Sequence, residues 1–325
     1  MLAPARLASI ALGAILSLTS IANAADAVSL RLNWYLGGLH APFYYGKEKG
    51  FFSQEGIDLT INEGRGSVAA AQAVAAGSDT FGMADAGTLM LTASKGAEIK
   101  AVMSLLNTSG FGVISLEETG IKSPSNLEGK RLAITAGDAL TQLFPALAKA
   151  NNIDMTKVSL VQMDPAAKVV AVLEKRVDAL LGGIDDQFFL LEQKGSKASA
   201  LRFADHGANT VGITVITNAS TIKDKQDLVR RFVAAATRSW KEAKKNPEAA
   251  VDAALKIKPE LNKESTLKQL KVDLDLLESA ATKGKGIGFA AEIDWETTKR
   301  LLTEYRDLKT EKPATAFYTN EFLPQ

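Results

Sequence analysis

Residues 29–61, "SLRLNWYLGGLHAPFYYGKEKGFFSQEGIDLTI", read as strand, loop, helix and strand in succession. Polar and apolar residues alternate from Ser29 to Trp34, the period-two pattern of a half-buried strand. "APFYYGKEKG", residues 41–50, suits a short helix that Gly50 closes, because glycine reaches the left-handed conformation at a helix end without a Cβ clash. "IDLTI", residues 57–61, is a second strand. A helix between two strands predicts a parallel pair joined by a right-handed crossover. The loop "WYLGGLH", residues 34–40, then leaves the first strand at its carboxyl end, where open α/β sheets hold ligands.

Further along, the glycine-bearing turn "EGRG" delivers Ser67 as an N-cap for an alanine-rich helix that Gly77 stops. "TFGMA" (80–84), "GTLMLTASKG" (87–96) and "IKAVMSL" (99–105) add strand, helix and strand, which makes βαβαβα. After the loop "ETGIKSPSNLEG" (118–129) a second run of the same kind begins with "KRLAIT" and ends with "ALRFA". Past Ser220 the pattern is helical to about Arg306.

The two runs resemble each other. "AVAAGSDTFGMAD" (73–85) and "AVLEKRVDALLGGID" (171–185) both give helix, aspartate, short apolar strand and a second aspartate. A duplicated lobe and the chance likeness of two βαβ units are both open readings. Asp79 and Asp178 belong to helix-to-strand turns and are structural, whereas Asp85 and Asp185 lie beyond the carboxyl ends of strands. The extended runs "GFGVISL" (110–116) and "TVGITVITN" (210–218) are the candidates for strands crossing between lobes. They place lobe one at 25–110 plus 215–325 and lobe two at 111–214.

Composition narrows the function. Lys and Arg total 38 against 37 acidic residues with no basic stripe, so nucleic acid is not an expected partner. Cysteine is absent, which removes disulfides, thiolate metal sites and cysteine nucleophiles together. Residues 1–24 carry Arg6, an apolar stretch from Leu7 to Leu18 and the small-x-small ending Ala22-Asn23-Ala24. That pattern predicts a cleaved export signal; the apolar stretch is short for a membrane anchor. A bacterial periplasm is the expected compartment.

Enzyme signatures fail in turn. The only histidines are His40 and His206, and neither accompanies a G-x-S-x-G elbow. The phosphate loop is missing, "GRGSVA" lacks the third glycine of a dinucleotide fingerprint, and no H-E-x-x-H spacing occurs. Neither a cofactor nor a metal is expected. Asp185 and Asp186 are adjacent and so point apart, unlike a glycosidase pair. What remains is a recognition surface. Helices that start near Ser67, Thr88, Ala139 and Gln187 favour anionic or carbonyl groups. Asp85, Asp138, Asp185 and Asp186 favour amino or ring N–H groups, and Trp34 and Tyr35 offer flat faces. Together they suit a small, polar, planar ligand.

"LNWYLGGLHAPFYYGKEKGFFSQEGIDLTI", "GRGSVAAAQAVAAGSDTFGMAD", "NLEGKRLAIT" and "VVAVLEKRVDALLGGIDDQFFLLEQKG" resemble, in this order, the periplasmic substrate-binding proteins of ABC importers. The likeness is to the branch similar to thiamine-pyrimidine-precursor and alkanesulfonate binders, and it covers nearly all of the mature chain. It implies an α/β, two-lobed periplasmic-binding-protein fold (type II-like), each lobe a mainly parallel sheet flanked by helices, with two crossover strands. It also implies a ligand between the lobes, a monomer, and an ABC permease in the inner membrane as partner. Mapped here, the ligand loops are 33–40, 64–68, 84–88, 135–141 and 183–188. The residues expected to touch ligand are Asn33, Trp34, Tyr35, His40, Arg65, Ser67, Asp85, Thr88, Asp138, Thr141, Asp185, Asp186 and Phe188. Trp34 and His40 match the aromatic and the histidine of the pyrimidine-precursor branch, which favours a pyrimidine-like heterocycle. On an extended backbone only one of Trp34 and Tyr35 faces the cleft, and Trp34 is the expected one. The alternative ligand is a small sulfonate or carboxylate held by Arg65 and helix N-termini. Eukaryotic relatives of the branch include a pyrimidine-making enzyme with a "CCCFC" motif; without cysteine this chain is expected not to be an enzyme.

Overall fold

A computed structural model describes residues 24–324, so the export signal expected at residues 1–24 lies outside the described residues but for its last position. Among the described residues ten strands are formed: β1 (Asp26–Arg31), β2 (Ile57–Asn62), β3 (Phe81–Asp85), β4 (Ile99–Ser104), β5 (Phe111–Leu116), β6 (Arg131–Ile134), β7 (Ser159–Gln162), β8 (Ala179–Gly183), β9 (Ala198–Arg202) and β10 (Ile213–Asn218). They make two five-stranded sheets, ordered β2-β1-β3-β10-β4 and β7-β6-β8-β5-β9. In the first sheet β10 alone runs antiparallel to its neighbours, and in the second β5 does. Both sheets thus have one plan, four co-directional strands with a reversed strand in fourth place.

The reversed strands are the two runs expected to cross between lobes. Each pairs within a single sheet, β5 with β8 and β9, β10 with β3 and β4. The crossing itself is made by the segments ahead of them. There the Leu106 N–H donates to the Ile213 carbonyl at 2.9 Å, and the Gly212 N–H returns to the Leu106 carbonyl at 2.8 Å. A Cβ on Gly212 would stand 2.9 Å from the Thr108 carbonyl oxygen, so the two crossing segments approach this closely only around glycine.

Phe43, Phe52, Phe81, Phe232 and Trp240 fill the first sheet's outer core, with Phe81 stacked on Phe232 at 3.8 Å between ring centroids. The long helix Gln226–Lys245 supplies two of them from one apolar face. A second cluster spans both sheets: Ala84, Leu89 and Met90 from one side, Leu143, Phe144 and Leu147 from the other, with Trp295 and Leu302 between. Asp79 accepts from Arg31 at 2.8 Å and Asn62 at 3.0 Å, and Asp178 pairs with Arg131 at 3.1 Å. Both aspartates therefore pin the turn that enters a central strand to its neighbours. Ser67 begins its helix rather than capping it. Gly66 is the N-cap, at φ +131°, and the Ser67 hydroxyl instead accepts the Asp85 N–H at 3.3 Å.

Candidate functional site

Two loops of the first lobe are stitched together at the cleft. The Gly66 N–H donates to the Asn33 carbonyl at 2.8 Å, and the Gly64 N–H to the Trp34 carbonyl at 3.1 Å. A Cβ on Gly64 would lie 1.9 Å from the Leu32 carbonyl oxygen, which makes this turn possible only with glycine. Because β1 ends at Arg31, residues 33–37 form bends rather than a strand. Side chains need not alternate there, and both aromatic rings line the cleft, edge to face at 5.7 Å. Trp34 turns toward Lys168 and Tyr35 toward Lys258.

His40 lies beneath this loop, 3% exposed. Its Nδ1 accepts the Gly37 N–H at 3.2 Å, and its Nε2 stands 3.1 Å from Asn33 Oδ1. Burial drives its pKa down to about 3 against the opposing charge of Glu63, so the ring is neutral and its single proton belongs on Nε2. Asn33 Oδ1 is then the acceptor, and its amide N–H₂ is left for the cleft.

The second lobe contributes carboxylates and one buried amine. Asp138 caps the helix Ala139–Ala150 by accepting the Thr141 N–H at 2.6 Å. Its other oxygen lies 3.4 Å from Lys168 Nζ, which also donates to the Leu181 carbonyl at 2.8 Å. Lys168 is 1% exposed, and its ammonium stands 5.3 Å from the centre of the Trp34 ring. Burial lowers its pKa while Asp138 opposes the fall. Asp186 is pushed up to about 7 by burial and by its neighbour Asp185, with Lys168 and the Trp34 indole N–H working the other way. It accepts from Gln269 Nε2 at 3.2 Å across the lobes and from the adjacent Gln187 side chain. Burial also raises Asp185.

The lobes are closed over this site. The Val68 N–H donates to the Gly137 carbonyl at 3.3 Å, Gln269 reaches Asp186, and Arg306 reaches Gln142 at 3.0 Å. Among the residues expected from the sequence, Asn33, Trp34, Tyr35, His40, Ser67, Asp138, Asp185 and Asp186 line the cleft. Five others stand apart. Arg65 is exposed and makes no side-chain hydrogen bond or ion pair among the described residues. Asp85 and Thr88 are buried in a cap behind the cleft, Thr141 is occupied with Asp138 and the Thr135 carbonyl, and Phe188 packs edge-on against Phe189.

Lys168 and Gln269 also line the cleft, and neither is among the residues expected from the sequence. A lysine inside the apolar run "AKVVAVL" is a usable signal, since a buried lysine needs partners. Gln269 gives none, because its helix, Lys263–Leu276, folds back from far along the chain. Among the described residues no group of three or more His, Cys, Asp or Glu side chains is placed to hold a metal ion.

Comparison with known proteins adds to this geometry. Residues 38–250 match the sequence pattern of the family described as NMT1/THI5 like. A formylaminopyrimidine-binding protein of Halalkalibacterium halodurans is 24% identical over 243 residues, 74% of this chain and 73% of that protein. A 4-amino-5-hydroxymethyl-2-methylpyrimidine phosphate synthase of Legionella pneumophila is 25% identical over 302 residues, 91% and 92% of the two chains. Among solved structures, the alkanesulfonate-binding protein SsuA from Xanthomonas axonopodis pv. citri bound to MOPS superposes with a TM-score of 0.71 at 12% identity, covering 90% of this chain and 98% of that one. That likeness establishes the periplasmic-binding-protein fold.

Proposed function

Because this chain belongs to the NMT1/THI5-like family, we propose that it is an exported solute receptor that closes on a small nitrogen-bearing heterocycle, pyrimidine-like, and hands it to an ABC permease. The observation that carries the reading is the lining of the cleft. One flat indole lies among Asp138, Asp185 and Asp186, while Arg65 faces solvent. A planar ring stacks on Trp34, its amino or ring N–H groups donate to carboxylate oxygens, and a ring nitrogen or carbonyl accepts from the Asn33 amide.

The name of the Halalkalibacterium relative supports a pyrimidine-derived ligand, and the expected signal at residues 1–24 supports the periplasm. An anionic sulfonate fits this lining poorly. It would meet three carboxylates, with Lys168 committed to Asp138 and Leu181 and with Lys258, farther out beyond Tyr35, already paired with Glu63. The Legionella relative is named as a synthase, and turnover is therefore the reading to test against.

A thermal-shift panel of aminopyrimidines, alkanesulfonates and carboxylates tests the proposal. A ligand at about a hundred times its Kd adds about 2.7 kcal/mol to apparent stability. An upward shift with aminopyrimidines, and their recovery unchanged, is expected. A shift with sulfonates alone would overturn the heterocycle as ligand, and conversion of the pyrimidine would overturn the receptor role.

A further inference from the structure

Helix Lys263–Leu276 carries an acid that the binding proposal does not use. Asp273 is 0% exposed, and as a carboxylate neither of its oxygens has a hydrogen-bond donor. It meets Asp185, which comes from the opposite lobe on the turn after β8 and lines the cleft. Two carboxylates repel at such a contact, whereas an acid and a carboxylate form a strong O–H···O⁻ bond. Burial first, and then the charge of Asp185, drive Asp273 well above the usual carboxylate range. Burial raises both acids, and the bond between them raises Asp273 while lowering Asp185, so the one proton the pair shares is favoured on Asp273 and the negative charge on Asp185.

The surrounding charges leave that assignment intact. Asp186 faces Asp273 and adds to the rise, and Lys168 acts on Asp186 and Asp138. His40, on the short turn packed against the same helix, is neutral. Asp252 and Glu192, on the two other helices beside it, face Lys263 and Lys268.

We propose that Asp273 is a positioning residue of the cleft: its carboxylic O–H holds Asp185 as a charged acceptor for an amino or ring N–H group of the ligand, and only while the lobes are closed. The ligand chemistry here rests on the heterocycle reading above. When the lobes part, both acids meet water and Asp273 releases its proton, so each closure takes up one proton. Affinity for a neutral aminopyrimidine then falls as pH rises between the open-state and closed-state values of Asp273, by up to about tenfold per pH unit.

The cysteine-free chain allows one cysteine to be placed on each lobe for a fluorophore pair, so closure can be followed by energy transfer without ligand. Calorimetry with 4-amino-5-hydroxymethyl-2-methylpyrimidine provides the second arm. Asp273→Asn offers Asp185 a permanent N–H donor and is expected to close and bind with a pH slope shallower than the wild type's, the part that remains belonging to Asp186. Asp273→Leu offers none and is expected to bind about tenfold or more weakly. Asp185→Asn, acting from the other lobe, is expected to flatten the slope in the same way, so damage to one helix cannot explain both results. Closure of the wild type that ignores pH, or an Asp273→Leu protein that binds like the wild type, overturns the role of Asp273. If the wild type binds no aminopyrimidine, the heterocycle reading and the ligand half of this proposal fall together, and the closure slope alone decides the proton-holding half.

Discussion

His40 and Asn33 are wired into one unit: Nε2 of the ring stands 3.1 Å from Oδ1 of the amide, while Nδ1 takes the Gly37 N–H at 3.2 Å. The histidine therefore serves the cleft through Asn33, by fixing which end of the amide faces the ligand. His40→Ala removes the donor for Asn33 and the acceptor for Gly37, and is expected to cost about 1–3 kcal/mol of stability and to weaken binding of an aminopyrimidine. Urea unfolding and calorimetry on the same variant check both. An affinity equal to that of the wild type would show that Asn33 holds its orientation unaided.

His40 and Asp186 make opposite contributions to stability as pH changes. His40 falls from 6.5 to about 3 on folding, so between those values the unfolded chain binds a proton that the folded chain does not, and stability is lost as pH falls. Asp186 rises from 3.8 to about 7, so in that window the folded chain holds the extra proton, and its contribution grows as pH falls. The two offset each other between 3.8 and 6.5. Relative to the wild type, Asp186→Asn should lose about 1.4 kcal/mol for each pH unit of acidification in that window, and His40→Gln should gain a similar amount. Unfolding curves for all three proteins that stay parallel across the window would contradict both shifts.

Trp34 is half-buried and belongs to neither core cluster, so its removal leaves both cores intact. Trp34→Ala is expected to fold with unchanged far-ultraviolet circular dichroism and to lose about 1–3 kcal/mol of binding, the range for a base stacked on an aromatic side chain. Trp34→Phe should recover part of that loss. A Trp34→Ala protein that binds its aminopyrimidine undiminished would transfer the stacking role to Tyr35.

The parts of this molecule that the sequence exposes are those set by local pattern. The helix Ala41–Glu48 and its stop at Gly50 follow from spacing and a glycine at φ +74°. The loop from Asn33 to His40 follows from its place at a strand's carboxyl end. Side-chain direction in irregular backbone is another matter. Arg65 sits between Gly64 and Gly66 in a bend that no periodicity describes, and it turns outward. Gln269 and Asp273 are hidden for a different reason. The pattern of their helix tells which face is buried and leaves open what buries it; for Gln269 the answer is the distant loop whose Gly38 N–H donates to it at 2.9 Å, and for Asp273 it is the turn after β8 that carries Asp185.

Lys168 supports the second lobe's side of the cleft. Its ammonium offsets Asp138 and satisfies the Leu181 carbonyl in a place without solvent exposure. Lys168→Met keeps the apolar stem and strands both acceptors, and a loss of about 3 kcal/mol is expected, the low end for breaking a buried pair. The double variant Lys168→Met with Asp138→Asn should regain part of it, since Asp138 no longer stands as a charge without its partner. Urea midpoints for the two variants decide this; a double variant less stable than the single one would mean that the Leu181 contact outweighs the ion pair.

Arg65 separates the two ligand classes. If the cleft took a sulfonate or a carboxylate through this guanidinium, Arg65→Ala would lose a charge-assisted contact worth about 1.5–3 kcal/mol, and affinity would fall by roughly tenfold or more. The side chain instead faces solvent, while the groups that line the closed site nearby are the backbone of Gly66 and the hydroxyl of Ser67. Arg65→Ala is therefore expected to leave aminopyrimidine affinity within about twofold of the wild type, since surface substitutions away from such contacts stay near ±0.5 kcal/mol. A change in salt dependence without a change in affinity at fixed ionic strength would place Arg65 among the charges that act at long range. A tenfold loss measured by calorimetry would require the bend at residues 64–66 to turn Arg65 inward when ligand binds, and would bring the anionic ligand back to the front.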